Sequence, residues 1–229
     1  SDAPRRIRDY ALPLLSRDLV AVMDAVSPDR PVHLAGHDWG SIQTWESVTD
    51  PALRHRIAGY TSLSGPCLDH VGHLMRHYAQ TPGENLGKLT DQLASSWYIY
   101  LFQAPLVAPF LWKAWLGKHW NDILEKAEGI RAPIEENPMQ TRDGVCGINL
   151  YRANMLPRLL LPRRRHTTVP VQLLVAQDDR FVKTQLQDRL ELWVENLVKQ
   201  DLPGSHWHLL LEEPARLADA IRMFAFQPA

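Results

Sequence analysis

The pentapeptide Gly36-His37-Asp38-Trp39-Gly40 sets a carboxylate at a corner between a short apolar run and a helical pattern. Glycines stand two positions either side of Asp38, the spacing of a nucleophile elbow with Asp in the place of Ser. A strand-to-helix reversal this tight crowds the backbone, so Gly is expected to be needed on both flanks. The central side chain is then thrust out above the sheet, and the amides that open the next helix favour negative charge beside it. A carboxylate held there can attack an electrophilic carbon and form a covalent ester. The plainer role, an N-cap for the following helix, also suits Asp.

Such an ester needs a base to hydrolyse it, and this architecture orders nucleophile, acid and His along the chain. After the apolar run 171–176 come Gln177-Asp178-Asp179, where a carboxylate can orient an imidazole and fix its tautomer. Near the C-terminus follows Gly204-Ser205-His206-Trp207-His208. His206 and His208 would point to opposite sides were this segment extended.

These groups need a scaffold, and the hydrophobic pattern supplies one. Residues 10–26 carry Leu12, Leu15, Leu19, Val22 and Met23 at helical spacing, and Pro28-Asp29-Arg30 ends that helix. Val32-His33-Leu34-Ala35 reads as a buried strand, 41–48 as a helix, and 57–64 as a second strand closed by Gly65-Pro66. Residues 171–176 form a third strand and 197–202 a weaker fourth. A closing helix starts at Pro214, Pro being tolerated in a first turn, and runs to Phe224. Strands alternating with helices predict an α/β fold with a mostly parallel sheet. Between them, 69–166 is Trp-rich, punctuated by Pro and helical in period. The expected organisation is therefore core 1–68 with the elbow, an inserted helical cap 69–166, and core 167–229 with the acid and the His.

Gly-His-Asp-Trp-Gly resembles the nucleophile motif of epoxide hydrolases and of the related haloalkane dehalogenases, within the α/β-hydrolase superfamily. The resemblance spans nearly the whole chain and is strongest to the hydrolase half of bacterial proteins that fuse an epoxide hydrolase to a short-chain dehydrogenase. It implies Asp38 as nucleophile, Asp179 as the acid with Asp178 in reserve, and His206 as the base. Asp69 is an alternative acid, since some dehalogenases place theirs after that strand. Trp97-Tyr98-Ile99-Tyr100-Leu101-Phe102-Gln103-Ala104-Pro105 is similar to a cap segment carrying a ring-opening phenol, which implies Tyr98, with Tyr100 as alternative. Asn149-Leu150-Tyr151-Arg152-Ala153-Asn154-Met155 is similar to the second cap motif and implies Tyr151. Two phenols could bind and protonate the departing epoxide oxygen. The Trp39 amide is the expected oxyanion donor, with His37 and Phe102 on the substrate side. The implied function is opening of an epoxide to a vicinal diol. Dehalogenation, or a catalytically impaired module holding a lipid-like ligand, are the alternatives.

Composition narrows the rest. Formal net charge is -1 with 22% charged residues, so a nucleic-acid partner is not expected. The basic run 163–165 reads as a solvated loop. Two cysteines without metal-type spacing favour a reducing, cytoplasmic setting. His70, His73 and His77 share one helical face, but no recognised zinc motif accompanies them, and neither metal nor cofactor is called for. The greasy stretch 98–116 is broken by Gln103, Pro105, Pro109 and Lys113, so a spanning helix is not expected; contact with a membrane surface is its lesser reading. The expected partner is a small hydrophobic epoxide-like substrate, with fusion to or association with further domains. No His-Gly-x-Pro turn precedes the first helix, so the N-terminal strands of the fold are expected to be absent, leaving an open sheet edge.

Overall fold

The computed structural model describes residues 3–226. Residues 1–2 and 227–229, the ends of the first and last expected segments, lie outside the described residues. The elements run α1 (Leu12–Val26), β1 (Val32–His37), α2 (Trp39–Val48), β2 (Ile57–Leu63), α3 (Leu68–Gln80), α4 (Pro82–Ser95), α5 (Trp97–Gln103), α6 (Val107–Leu111), α7 (Trp120–Glu128), α8 (Gln140–Leu160), β3 (Val171–Ala176), β4 (Leu197–Leu202), α9 (His208–Leu211) and α10 (Pro214–Ala225). All three strand pairings are parallel, in the order β1-β2-β3-β4. The expected α/β architecture is the observed one.

Period-two alternation decides which layer each residue joins. In β3, Val171, Leu173 and Val175 pack with Met23 of α1 and with Trp45 and Val48 of α2. The intervening Leu174 and Ala176 turn to the other face, where Leu209 and Ala220 of α9 and α10 meet them. β3 is buried along its whole length, as a strand covered on both faces must be. Among the described residues β1 is an edge strand, paired on one side only.

Between β2 and β3 the chain leaves the sheet for six helices, α3 to α8. Helix α8 is fastened to the core by Asn154, whose amide oxygen accepts from the Leu12 N–H and whose amide nitrogen donates to the Tyr10 carbonyl, both at 2.9 Å. One turn earlier on the same face stands Tyr151, and one turn later Arg158. Arg158 joins a buried ion network that ties α2, α3 and the segment before β3 together. Its guanidinium donates to Glu46 and Asp69, and so does Arg165, at 2.7 Å to Glu46 and 2.6 Å to Asp69. The reading of 163–165 as a solvated loop is thus corrected. Arg163 and Arg164 are exposed, but Arg165 is buried, because two carboxylates shielded from water require a cation between them.

Removing Arg165 would leave Glu46 and Asp69 undercompensated. Arg165→Leu is expected to destabilise the fold by about 3–5 kcal/mol, whereas Arg163→Leu, at a half-exposed side chain, should cost under about 1 kcal/mol. Urea denaturation of both variants checks this; equal losses would contradict it.

His70 lies buried in the same region. Its Nε2 donates to the Arg165 carbonyl at 2.7 Å and its ring stacks on Trp193. Among the described residues no group of three His, Cys, Asp or Glu is placed to hold a metal, and no helix is long and apolar enough to cross a membrane.

Candidate active site

β1 ends at His37, and helix α2 begins at Trp39, so a single residue makes the turn. That residue, Asp38, has φ 49° and ψ -124°, a region in which a side-chain-bearing residue is strained. Its side chain makes no capping hydrogen bond to the helix, so the N-cap role does not account for it. Its backbone is pinned instead, with the N–H donating to the Leu63 carbonyl at 3.1 Å and the C=O accepting from Ile42 at 2.9 Å.

The two flanking glycines turn out unequal. A Cβ on Gly36 would stand 2.7 Å from the Gly40 carbonyl oxygen and from the Ser41 Cα, so only Gly fits there. A Cβ on Gly40 would meet nothing, and the expectation that both flanks need Gly is corrected to one. The second required glycine is Gly65, after β2, whose Cβ would fall 2.2 Å from the Asp38 carbonyl oxygen. The Gly65 carbonyl accepts from Ser41 Oγ at 2.6 Å and from Trp45 Nε1 at 3.1 Å, while Ser41 also bonds Tyr60 Oη and Ser62 Oγ. This buried polar brace holds the strained corner. Gly65-Pro66 could have suggested it, but the contact is tertiary.

Asp179, just beyond β3, and His206, beyond β4, complete the set. His206 Nδ1 donates to Asp179 Oδ2 at 2.9 Å, and His206 Nε2 lies 3.9 Å from Asp38 Oδ1. The other oxygen of Asp179 accepts the amides of Phe181 and Val182 at 2.8 and 2.9 Å. Burial pushes the Asp179 carboxyl up, but His206 and the Val182 amide outweigh it and hold it below the usual range. Burial likewise pulls His206 down, yet the neighbouring Asp179 and Asp38 raise it above 6.5. Asp38 itself is raised by burial, against the pull of His206 and the Trp39 amide.

The remaining candidates lie around these three residues. The carboxylate of Asp178 accepts the Gly204 N–H at 3.2 Å and ties the loop of Asp179 to that of His206. Asp69 is engaged by Arg158 and Arg165. His208 opens α9 and faces Glu213 at 3.3 Å; the segment is not extended there. His37, expected on the substrate side, is instead turned to the base loop. Its Nε2 donates to the His206 carbonyl at 2.9 Å, and its ring packs on His206 and Trp207. Burial and the neighbouring His206 lower the His37 pKa to about 4, so it is a neutral brace.

Above Asp38, α5 and α8 bring aromatic rings together. Tyr98 and Tyr151 meet edge to face with centroids 6.0 Å apart, and Phe102 contacts both. Trp39 packs edge-on against Tyr151, and its indole N–H is buried without a hydrogen-bond partner. Burial and the Asp38 charge push both phenols well above their ordinary pKa, so each remains a proton-bearing donor. Tyr100 is exposed on the outer side of α5.

This geometry also explains what the chain resembles when set against known proteins. The sequence profile of the alpha/beta hydrolase family matches residues 2–220. The chain belongs to the alpha/beta hydrolase family. It is 31% identical to the "Probable oxidoreductase EphD" of Mycobacterium tuberculosis over 98% of its own length, but spans only 39% of that relative. It is 26% identical to "Epoxide hydrolase 3" of Xenopus tropicalis, covering 98% of this chain and 60% of that one. Among solved structures, the Bacillus megaterium epoxide hydrolase in complex with an inhibitor superposes with TM-score 0.72 at 18% identity, over 98% of this chain and 79% of that one. The last likeness carries the fold alone.

The opposed effects on the two imidazoles yield an expected titration. In NMR spectra of the ring protons, His206 should titrate above pH 6.5 and His37 at about 4. Asp179→Asn removes the charge that raises His206, leaving burial dominant, so its midpoint should fall. A His206 midpoint unmoved by that substitution would contradict the assigned pairing.

Proposed function

We propose that this site opens epoxides to vicinal diols through an ester on Asp38. The observation that carries the reading is the convergence of two half-buried, protonated phenols, Tyr98 and Tyr151, on the charge of the carboxylate that His206 and Asp179 serve. The helices α3 to α8, from Leu68 to Leu160, act as the cap that holds those phenols.

In the first step an Asp38 oxygen bonds to an epoxide carbon, the ring C–O bond breaks, and the freed oxygen takes a proton from a phenol. In the second step His206, held in its tautomer by Asp179, removes a proton from water, and the oxygen of that water attacks Asp38 Cγ. The Trp39 amide at the start of α2 faces the developing oxyanion. The Cγ–O bond to the substrate breaks, the departing alkoxide takes the proton held on His206 and the diol leaves, and the proton left on the Asp38 carboxyl restores the phenol. The likeness to Epoxide hydrolase 3 of Xenopus tropicalis supports the same reading.

One observation favours a second reading. The orphaned indole N–H of Trp39, beside Asp38, would suit a departing halide. A direct comparison decides: the full-length polypeptide is incubated with a terminal aryl epoxide and with a primary chloroalkane. Diol without chloride is expected. Chloride release would favour dehalogenation, and binding of either compound without turnover would favour a ligand-holding module.

A further inference from the structure

Helix α5 has two aromatic faces. Tyr98 points inward, with its ring against Tyr151, Phe102 and Phe181. Trp97 and Tyr100, which share the other side, are open to solvent. The exposure continues through the next elements, at Leu106, Val107, Phe110 and Trp115. These six large side chains are each 49–83% exposed. Isolated exposed apolar residues are ordinary, but a run of six along consecutive elements is a surface that binds something.

The charge around this surface identifies the occupant. From Gln92 to Asn121 the chain contains no Asp or Glu, while Lys113 and Lys118 fall within the same stretch; Asp122, at its end, is paired with His119 at 3.2 Å. The protein has 26 acidic residues, and an even spread would put about three in that interval. Trp and Tyr beside aliphatic side chains, with two lysines and the bordering Asp122 carboxylate paired with His119, match the interface of a bilayer bearing anionic headgroups.

We propose that the outer face of α5 and α6, extended by Trp115, docks on the surface of an anionic lipid bilayer. The aromatic and aliphatic side chains enter the headgroup boundary, and Lys113 and Lys118 meet lipid phosphates. The docked face backs directly onto the helix that carries Tyr98, so an apolar compound dissolved in the bilayer would reach the site with little exposure to water. Docking itself stands whether or not the site opens epoxides.

The test is flotation of the full-length polypeptide with vesicles of phosphatidylcholine and phosphatidylglycerol in equal parts, and with phosphatidylcholine alone. Binding is expected to the anionic vesicles, weaker to the neutral ones, and reduced by molar salt. The combined variant Trp97→Ser, Phe110→Ser, Trp115→Ser should lose about tenfold or more in vesicle affinity. Leu192→Ser with Met223→Ser, exposed apolar positions elsewhere, should bind like the parent. A thermal melt confirms that each variant is folded. No binding of the parent to either vesicle would overturn the proposal, as would equal binding by the triple variant. So would a lipid-free dimer abolished by the triple variant, since the face would then be covered by a second copy.

Discussion

His206→Gln is expected to stop the reaction halfway, with the substrate carbon left on Asp38. The first step needs only the carboxylate and the phenols, none of which the substitution touches. The second needs a base for water, and His206 Nε2, 3.9 Å from Asp38 Oδ1, is the group in position. Loss of a positioned general base costs about 10²–10⁴-fold, so steady-state turnover should fall by about 10³-fold or more, with adduct approaching one per protein. Mass spectrometry of the Asp38 peptide after mixing with a terminal epoxide reads this directly. The half-reactions also separate by pH. Burial lowers the His206 pKa and Asp179 raises it, whereas esterified Asp38 no longer adds its charge. Hydrolysis of the ester should therefore decline as pH drops through the pKa that His206 keeps beside Asp179, when the imidazole becomes protonated. An adduct that fails to form, or that clears at the parent rate, would contradict the assignment of His206.

Replacing the two cap phenols should have the opposite kinetic signature. Tyr98→Phe and Tyr151→Phe keep the rings that pack against Phe102 and each other, so the fold should be retained. What is lost is a donor aimed at the oxygen that gains charge as the ring opens. Each loss is expected to slow ester formation by about 10²–10³-fold, equivalent to about 2.7–4 kcal/mol in the barrier. The double variant should fall below detection. Ester hydrolysis, measured after loading, should be unchanged, since the phenols take no part in it. Stopped-flow measurement of adduct formation and decay distinguishes the two phases; a defect confined to decay would remove the tyrosines from the ring-opening step.

Much of this was readable in the sequence where the constraint is local. Asp38 is flagged by the order strand, Gly, Asp, helix, because the reversal and the crowding at Gly36 are imposed by adjacent residues. The strands were legible as short apolar runs, the second closed by Gly65-Pro66, and the start of α10 from Pro214. The missed features are those whose partners are far away along the chain. Arg165 looks like one of three exposed basic residues until Glu46, 119 residues earlier, and Asp69, 96 residues earlier, are folded against it. The need for Gly65 comes from the Asp38 carbonyl, and that of His37 for a carbonyl acceptor from His206, 169 residues later. Composition cannot signal such pairings. The assumption of equal flanking glycines failed for a related reason: the motif states which residues recur, whereas the space around Gly40 depends on what the surrounding fold leaves empty.

Turnover in water enriched in heavy oxygen tests most directly whether Asp38 bonds to substrate. With polypeptide in excess over epoxide, the first diol should carry ordinary oxygen, drawn from the carboxylate, and the Asp38 side chain should gain one heavy oxygen. Repeated turnover should then label both carboxyl oxygens and pass heavy oxygen to later diol. If the diol of the first turnover is already labelled and Asp38 is not, water attacks the epoxide directly and no ester on Asp38 exists.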